Sequence, residues 1–205
     1  MKEYASDKIR NVAVLSHDGA GKTAVVESLL LAGGAVSAVG TGKDNKHIMD
    51  FEPEEIKRNV TIQLGIAPCE WDGYKLNFLD TPGYSEFCGE VRAALRACDG
   101  ILLVVSAEEG IEMDTERAWD YGVELQLPRM IYVNKMDTEH ADFFGTLEKM
   151  RSLFGKSIMP LQIPIGEGAD FRGIIDVLRM KAHYIDGDKD RVEEIPPEYA
   201  EVAQA

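Results

Sequence analysis

The chain has 205 residues, a formal net charge of −14, 45% hydrophobic residues and 28% charged residues. The length suits one packed domain with a small appended subdomain. The negative charge argues against broad, non-specific binding of nucleic acid, and no run approaches the ~20 apolar residues of a membrane span. No targeting segment is recognisable either, so we expect a cytoplasmic protein without membrane contact, and we expect it to be a monomer.

Strands and helices are predicted to alternate from the beginning of the chain. Residues 9–16 form a short apolar run that predicts a strand ending in a Gly-rich turn, and residues 21–33 have helical spacing. Residues 33–59 are Gly-rich and then charged, without a sustained period. They predict a long loop, which in a compact domain is usually functional.

The next segment predicts a β-hairpin. Apolar residues alternate with other residues over 60–71, which predicts a strand. Asp72-Gly73 is a hairpin signal, and residues 74–80 predict the second strand. The apolar residues of the first strand that share one face are Val60, Ile62, Leu64 and Ile66.

A βαβ series follows the hairpin. Residues 100–106 and 129–135 read as buried parallel strands, separated by a helix over about 112–125. An earlier helical stripe is formed by Phe87, Val91, Ala94, Leu95 and Cys98. The series predicts an α/β fold with a doubly wound, mostly parallel sheet. From residue 158 onwards, short strand-like pieces broken by Gly and Pro predict a separate small α+β element over 158–205.

The first motif with chemical meaning is "SHDGAGKT", residues 16–23. It differs from the phosphate-loop pattern G-x-x-x-x-G-K-[ST] only in Ser16, which replaces the first Gly. In such a loop backbone N–H groups face the β-phosphate, the Lys reaches the β- and γ-phosphates, and the Thr hydroxyl binds Mg²⁺. An ordinary strand–turn–helix is the alternative, but an apolar strand and an amphipathic helix flank the motif as the mechanism requires. The predicted nucleotide contacts are Ser16, His17, Asp18, Gly19, Ala20, Gly21, Lys22, Thr23 and Ala24.

The second motif is the turn Asp80-Thr81-Pro82-Gly83, directly after a predicted central strand. An Asp at this position can hold Mg²⁺, commonly through water, and the Gly83 N–H can meet the γ-phosphate because Gly lets the backbone approach closely. A plain Pro-Gly turn is the alternative. The position after the strand favours the nucleotide interpretation.

The third motif, "NKMD", predicts guanine as the base. The Asp137 carboxylate can accept from the two donors on one edge of guanine, and adenine has no matching pair. Asn134 would bond the base and brace the phosphate loop, while the stem of Lys135 covers the ring. Met136 completes the predicted contacts.

Thr61 is a further candidate ligand of Mg²⁺, so the predicted metal set is Thr23, Thr61 and Asp80. A hydroxyl that reaches the metal only when a γ-phosphate is present would order the long loop with GTP and release it with GDP. The alternative is that Thr61 is simply a β-branched strand residue.

These motifs resemble the amino-terminal GTPase domain of bacterial elongation factor G, and most closely the paralogous elongation-factor-G-like group. The resemblance rests on "SHDGAGKT", "MDFEPEEIKRNVTI", "FLDTPGYSEFCGEVRAALRACDG", "NKMD" and "LQIPIGEGADFRGIIDVLRMKAHYID". It implies a P-loop GTPase fold that binds GTP or GDP with Mg²⁺, and a ribosome as partner of the full-length protein. It also implies switch I over about 34–61 and switch II over about 80–98.

The resemblance divides the chain into a GTP-binding domain, residues 1–157, and a partial insert subdomain of elongation-factor-G type, residues 158–205. The family also has a Ser-Ala motif after the insert, and none follows "NKMD" here. We therefore expect the carboxyl-terminal strand and helix of the fold to be missing, and the chain to be a fragment of a longer, multidomain protein.

Three positions depart from the family pattern. Gly19 stands where an Asp is usual, Asn59 replaces a Gly ahead of Thr61, and Tyr84 replaces the histidine that positions the attacking water. Two interpretations stay open. In the first, the protein is a GTPase in which Lys22, Mg²⁺ and the Gly83 N–H stabilise charge and Tyr84 positions water, so that hydrolysis is slow. In the second, it is a GTP-binding switch with little or no hydrolysis. Asp137 argues against a third, an ATPase or small-molecule kinase.

Overall fold

The structure is a computed structural model that describes residues 2–40, 47–186 and 189–203. The chain divides into two compact units, one formed by Met1–Val105 with Glu112–Asn134 and the other by Ser106–Ile111 with Lys135–Ala205. Each unit is built on its own sheet. The domain boundary after residue 157 stays a prediction.

The first unit contains a five-stranded, mostly parallel sheet. Its strands are Ile9–Leu15 (β1), Gly65–Trp71 (β2), Tyr74–Asp80 (β3), Gly100–Ser106 (β4) and Arg129–Asn134 (β5). The spatial order is β2-β3-β1-β4-β5; β1 runs parallel to β3 and β4, and β2 runs antiparallel to β3. This confirms the predicted α/β fold with a doubly wound, mostly parallel sheet.

The sheet register brings the two predicted phosphate-contacting turns to one edge. Val14, near the end of β1, pairs with Asp80, the last residue of β3. Because parallel strands end at the same edge of a sheet, the loop after β1 and the turn after β3 lie side by side.

The described residues of this unit include four α-helices: Lys22–Ala32 (α1), Pro53–Arg58 (α2), Cys88–Ala97 (α3) and Met113–Glu124 (α4). The core forms between α1 and the sheet, where Val14, Val26 and Val104 are fully buried. Continuous apolar strands are expected where both faces of a parallel sheet are covered.

The predicted hairpin turn is confirmed. Asp72 and Gly73 have φ angles of +44° and +77°, so both lie in the left-handed region that a two-residue hairpin turn requires. The flanking strands β2 and β3 pair antiparallel from Trp71 with Tyr74 to Gly65 with Asp80.

The structure corrects the prediction for residues 60–71. The strand begins at Gly65, and its buried positions are Gly65, Ala67 and Cys69, whereas Ile66 is 63% exposed. The predicted apolar face is therefore wrong. Residues 62 and 63 are held outside the sheet because their backbone N–H groups bond a buried carboxylate, that of Glu55, at 2.8 and 2.9 Å.

The long loop predicted for residues 33–59 contains α2, which the apolar periodicity did not predict. The helix begins with a reciprocal capping box between Glu52 and Glu55, with Pro53 at its first position. It ends at Asn59, whose φ of +55° is left-handed. Residues 41–46 of the predicted switch I lie outside the described residues.

The second unit contains the helix Phe143–Phe154 (α5) and an antiparallel sheet in the order β6-β7-β8-β9. The strands are Gln162–Ile165 (β6), Gly173–Asp176 (β7), Lys181–Asp186 (β8) and Lys189–Glu193 (β9). Its core contains the buried side chains of Ile163, Ile165 and Ile175. Residues 187–188, between β8 and β9, lie outside the described residues.

None of the helices in the described part of the chain has the length and apolar character needed to cross a bilayer.

Candidate nucleotide-binding site

The predicted phosphate loop connects β1 to α1 through two left-handed glycines. Gly19 has a φ of +78° and Gly21 a φ of +90°, a region that residues with a side chain rarely adopt. Gly21 is also tightly placed, because a Cβ atom there would lie 2.5 Å from the Asn134 Nδ2 atom. Within the described part of the chain, no side chain caps the start of α1. The first N–H groups of the helix are thus oriented as an anion-binding loop needs.

Lys22, the first residue of α1, keeps its ammonium group inside the loop. Its side chain is 6% exposed, and Nζ donates a hydrogen bond of 2.9 Å to the His17 carbonyl. Burial lowers the pKa of Lys22, an effect that the negative charges of Asp80, Asp18 and Asp114 oppose. A buried cation that bonds a loop carbonyl suits contact with phosphate oxygens.

Asp80 ends β3 as a fully buried carboxylate. Neither of its oxygens has a hydrogen-bond donor in bonding geometry within the described residues. Burial raises the pKa of Asp80 to about 7, although the nearby Thr23 hydroxyl and the Lys22 charge act in the opposite direction. Because a buried, unbonded carboxylate is costly, this residue fits a hydrated Mg²⁺ ion as its partner.

Two threonine hydroxyls meet next to this carboxylate. The Oγ1 atoms of Thr23 and Thr61 lie 3.2 Å apart, and the Thr61 hydroxyl donates to Asp50 Oδ1 at 2.9 Å. The structure therefore brings Thr61, from the long loop, to the start of α1. Hydroxyl and carboxylate oxygens are the donor types that Mg²⁺ prefers.

The turn after β3 lies against the phosphate loop. A Cβ atom on Gly83 would come 2.6 Å from Lys22 Nζ and 2.7 Å from Asp18 Cα, so only glycine fits without movement. Thr81, fully buried, donates to the Val14 carbonyl at 2.7 Å and ties the turn to β1. Pro82, between these two residues, is buried.

Tyr84 follows this turn and is 41% exposed. Its hydroxyl bonds the Asp18 carboxylate, and this hydrogen bond is the main cause that raises the pKa of Tyr84. The ring lines a cavity of about 220 Å³ that Ser16, Cys88 and Arg117 also border. Tyr84 is thus a neutral phenol at physiological pH, held beside the phosphate loop.

The other residues of the loop are placed as follows. His17 is buried, with its Nδ1 atom 2.9 Å from Thr115 Oγ1. Ala20 is buried, whereas Asp18, Gly19 and Ala24 are exposed. The buried Ser16 hydroxyl has no hydrogen-bond partner among the described residues.

Asn134 ends β5 and braces the phosphate loop, since its Nδ2 atom donates to the Ala20 carbonyl at 2.9 Å. Lys135–Asp137 follow Asn134 in the chain and belong to the second unit. There Lys135 Nζ lies 3.2 Å from Glu109 Oε2, Met136 is buried and Asp137 is exposed. The contact of these residues with a base stays a prediction.

Three buried acids near the site were not predicted: Glu27, Asp50 and Glu55. A recognisable signal existed only for Glu55, because Glu52-Pro53-Glu54-Glu55 has the spacing of a capping box. Glu27 and Asp50 have no local signal, since their partners lie 11 to 21 residues away in the chain.

Two comparisons identify the family. A family model described as the elongation factor Tu GTP binding domain matches residues 7–196. The crystal structure of a Thermus thermophilus protein superposes with a TM-score of 0.90 at 40% sequence identity, over 96% of this chain and 30% of that one. The chain thus spans less than a third of the length of the Thermus protein. Members of the family bind guanine nucleotide with Mg²⁺, typically hydrolyse GTP and typically act on the ribosome. The chain belongs to this family, the GTP-binding domains of translational GTPases.

Proposed function

We propose that the chain is the GTP-binding domain of an elongation-factor-G-like GTPase, which binds GTP and GDP with Mg²⁺ and hydrolyses GTP slowly in association with the ribosome. The observation that supports this most strongly is the meeting of Thr23, Thr61 and Asp80 at one edge of the sheet. Thr61 comes from the segment whose ordering would depend on GTP, so the same group of residues could bind the nucleotide and report its state.

The proposed roles follow from which groups can donate hydrogen bonds to phosphate and which oxygens can bind a metal ion. Lys22 and the Gly83 N–H would contact the β- and γ-phosphate oxygens, and Thr23, Thr61 and Asp80 would hold Mg²⁺ directly or through water. The bound ion would neutralise charge on the phosphate oxygens during transfer. The buried position of Lys22 strengthens its attraction for phosphate, because a charge that is shielded from water interacts more strongly.

Guanine selectivity is assigned to the segment Asn134–Asp137. The brace from Asn134 to Ala20 supports this, because it links the end of β5 to the phosphate loop. The exposed Asp137 carboxylate would accept from both donors on the guanine edge, and Lys135 would cover the ring.

Tyr84 supports slow hydrolysis. A phenol can orient a water molecule, but its normal pKa near 10 makes it a poor base, and the bond to Asp18 raises the pKa further. Unlike histidine, tyrosine cannot become a cation near neutral pH. The same observation favours the second candidate function, a GTP-binding switch with little or no hydrolysis that acts as a ribosome-associated binding protein.

GTP turnover by the complete protein, measured with and without ribosomes, tests the proposal. We expect slow turnover that ribosomes stimulate; no turnover under either condition, with intact GTP binding, would favour the switch. In thermal unfolding we expect protection by GTP and GDP with Mg²⁺ but not by ATP. Equal protection by ATP would contradict the assignment of the base.

A further inference from the structure

Glu27 is a fully buried acid on α1 to which the proposed nucleotide chemistry gives no role. It follows Thr23 by four residues on the same helix, so the two side chains lie on one helical face. An ionised carboxylate is seldom buried without partners. The partners of Glu27 therefore indicate what it does.

Those partners belong to switch I. Glu27 Oε2 accepts from the Gly40 N–H at 2.9 Å and lies 3.3 Å from His47 Nδ1. Oε1 accepts from the Ile48 N–H. One side chain of α1 thus holds the switch I backbone at two positions that are eight residues apart in the chain.

A short path connects these contacts to Thr61. Ile48 is followed by Met49, which is buried in the core, and then by Asp50. Asp50 Oδ1 accepts the hydrogen bond of the Thr61 hydroxyl, which lies 3.2 Å from the Thr23 hydroxyl. The same face of α1 therefore contacts switch I in its first half and middle, through Glu27, and at its end, through Thr23.

We propose that Glu27 is a positioning residue for switch I: it fixes the backbone that carries Asp50 and thereby sets the distance between Thr61 and Thr23. The inference rests on the proposed function, in which Thr61 distinguishes GTP from GDP. Glu27 touches neither nucleotide nor metal in this scheme. Its loss should consequently weaken the binding of GTP much more than that of GDP.

A purely structural role for Glu27 predicts a different result. If Glu27 only stabilised α1, its replacement would weaken the binding of GDP and of GTP equally, because α1 begins at the phosphate loop that contacts both nucleotides. The ratio of the two affinities separates the roles.

The experiment measures the dissociation constants of GDP and of a non-hydrolysable GTP analogue, with Mg²⁺, for the complete wild-type protein, Glu27→Gln and Ser28→Ala. Glutamine keeps the size of the side chain but removes the charge and one acceptor oxygen. Ser28 is the matched control, an exposed neighbour on α1 whose hydroxyl donates to the Ala24 carbonyl of the same helix. For Glu27→Gln we expect the analogue to bind about tenfold more weakly and GDP within about twofold of wild type. Ser28→Ala should change neither constant.

If Glu27→Gln weakened the binding of both nucleotides equally, or changed the binding of neither, the inference would be overturned. A wild-type protein that binds no guanine nucleotide would overturn the proposed function and the inference together. Wild-type binding with an unchanged nucleotide preference in Glu27→Gln would overturn the inference alone.

Two further measurements sharpen the test. In a Thr61→Val background, Glu27→Gln should add little to the loss of GTP preference, because both changes act through one hydroxyl; additive effects would contradict this path. Hydrogen exchange of the Gly40 and Ile48 amides in the wild-type protein requires no variant. Exchange should be slower with the GTP analogue than with GDP, and equal rates would overturn the inference even if Glu27→Gln failed to fold.

Discussion

Thr61 and Thr23 bring their hydroxyl oxygens to 3.2 Å from each other, although 38 residues separate them in the chain. The contact joins the predicted switch I to the helix that follows the phosphate loop, next to the buried Asp80 carboxylate. In the proposed function this contact senses the terminal phosphate, because both hydroxyls would contact one Mg²⁺ ion.

Replacing the Thr61 hydroxyl should remove the preference for GTP. Thr61→Val keeps the β-branched shape and should weaken the Mg²⁺-dependent binding of a GTP analogue by about tenfold, with GDP almost unchanged. Thr61→Ser keeps the hydroxyl and is the matched control that should retain the preference. Nucleotide titration with and without Mg²⁺ measures both; equal behaviour of the two variants would show that the hydroxyl has no such role.

Asp80→Asn should have opposite effects on stability and on metal binding. The folded-state pKa of about 7 lies above the ordinary value of 3.8, so Asp80 favours folding of the nucleotide-free protein most at low pH. That contribution is lost as the pH rises towards 7, and at pH 8 the buried charge costs about 2–4 kcal/mol. Asparagine removes this charge and should raise the unfolding free energy at pH 8.

The same variant should lose the protection that GTP with Mg²⁺ provides, because the amide is a weaker ligand for a hard cation. Thermal unfolding at pH 5 and pH 8, with and without nucleotide, measures both effects. Asp120→Asn, on the exposed side of α4, is the control and should change neither. A lower stability of Asp80→Asn at pH 8 without nucleotide would contradict the prediction.

Glu55→Gln should lower the free energy of unfolding, and the loss should grow as the pH rises. This pH dependence is opposite to that of Asp80, whose charge destabilises the fold at high pH. Burial opposes ionisation of Glu55, but hydrogen bonds from the amides of residues 51, 52, 62 and 63 outweigh it and lower its pKa below the ordinary 4.5. Its stabilising contribution is therefore present above pH 4.5 and is lost as the pH falls through the lower folded-state pKa. We expect a loss of about 2 kcal/mol at pH 7.

Urea unfolding at pH 7 and at pH 3 checks this prediction, since the difference between wild type and Glu55→Gln should shrink at the lower pH. Glu54→Gln is a matched control on the same helix, where the half-exposed Glu54 forms a salt bridge with Arg58. It should cost little at either pH. A Glu55→Gln effect that is constant with pH would mean that the charge of Glu55 does not matter.

Tyr84→His should raise ribosome-stimulated GTP hydrolysis by the complete protein. Histidine can orient water and also carry a positive charge near neutral pH, and each tenfold gain in rate corresponds to ~1.4 kcal/mol of barrier. Tyr84→Phe keeps the ring but cannot bond Asp18, so it should not exceed the wild-type rate. Single-turnover hydrolysis measures both variants. An unchanged or lower rate for Tyr84→His would show that Tyr84 is not a weakened catalytic group.

Much of the sheet and of the phosphate loop could be predicted because their signals are local. The apolar runs of β1, β3, β4 and β5 appear at the predicted positions, and Asp72-Gly73 forms the predicted turn. The predicted burial of β5 is wrong, because its residues are exposed or half-buried. The prediction was poorer where a loop takes its conformation from distant partners. Residues 62 and 63 belong to a segment with the alternating pattern of a strand, but their amides donate to the Glu55 carboxylate. The strand β2 therefore begins only at Gly65, and the face that it buries is the one opposite to the predicted apolar face.

The sequence by itself determined the order of β1, α1, β3, α3, β4, α4 and β5 and the motifs that follow β1, β3 and β5, because hydrophobic period and glycine turns act over a few residues. Only the tertiary structure decided which carboxylates form hydrogen bonds with the predicted switch I. Glu27 bonds Gly40 and Ile48, and Asp50 bonds Thr61, across gaps of 11 to 21 residues that carry no regular pattern. Such contacts form because a buried carboxylate must find donors wherever the fold supplies them.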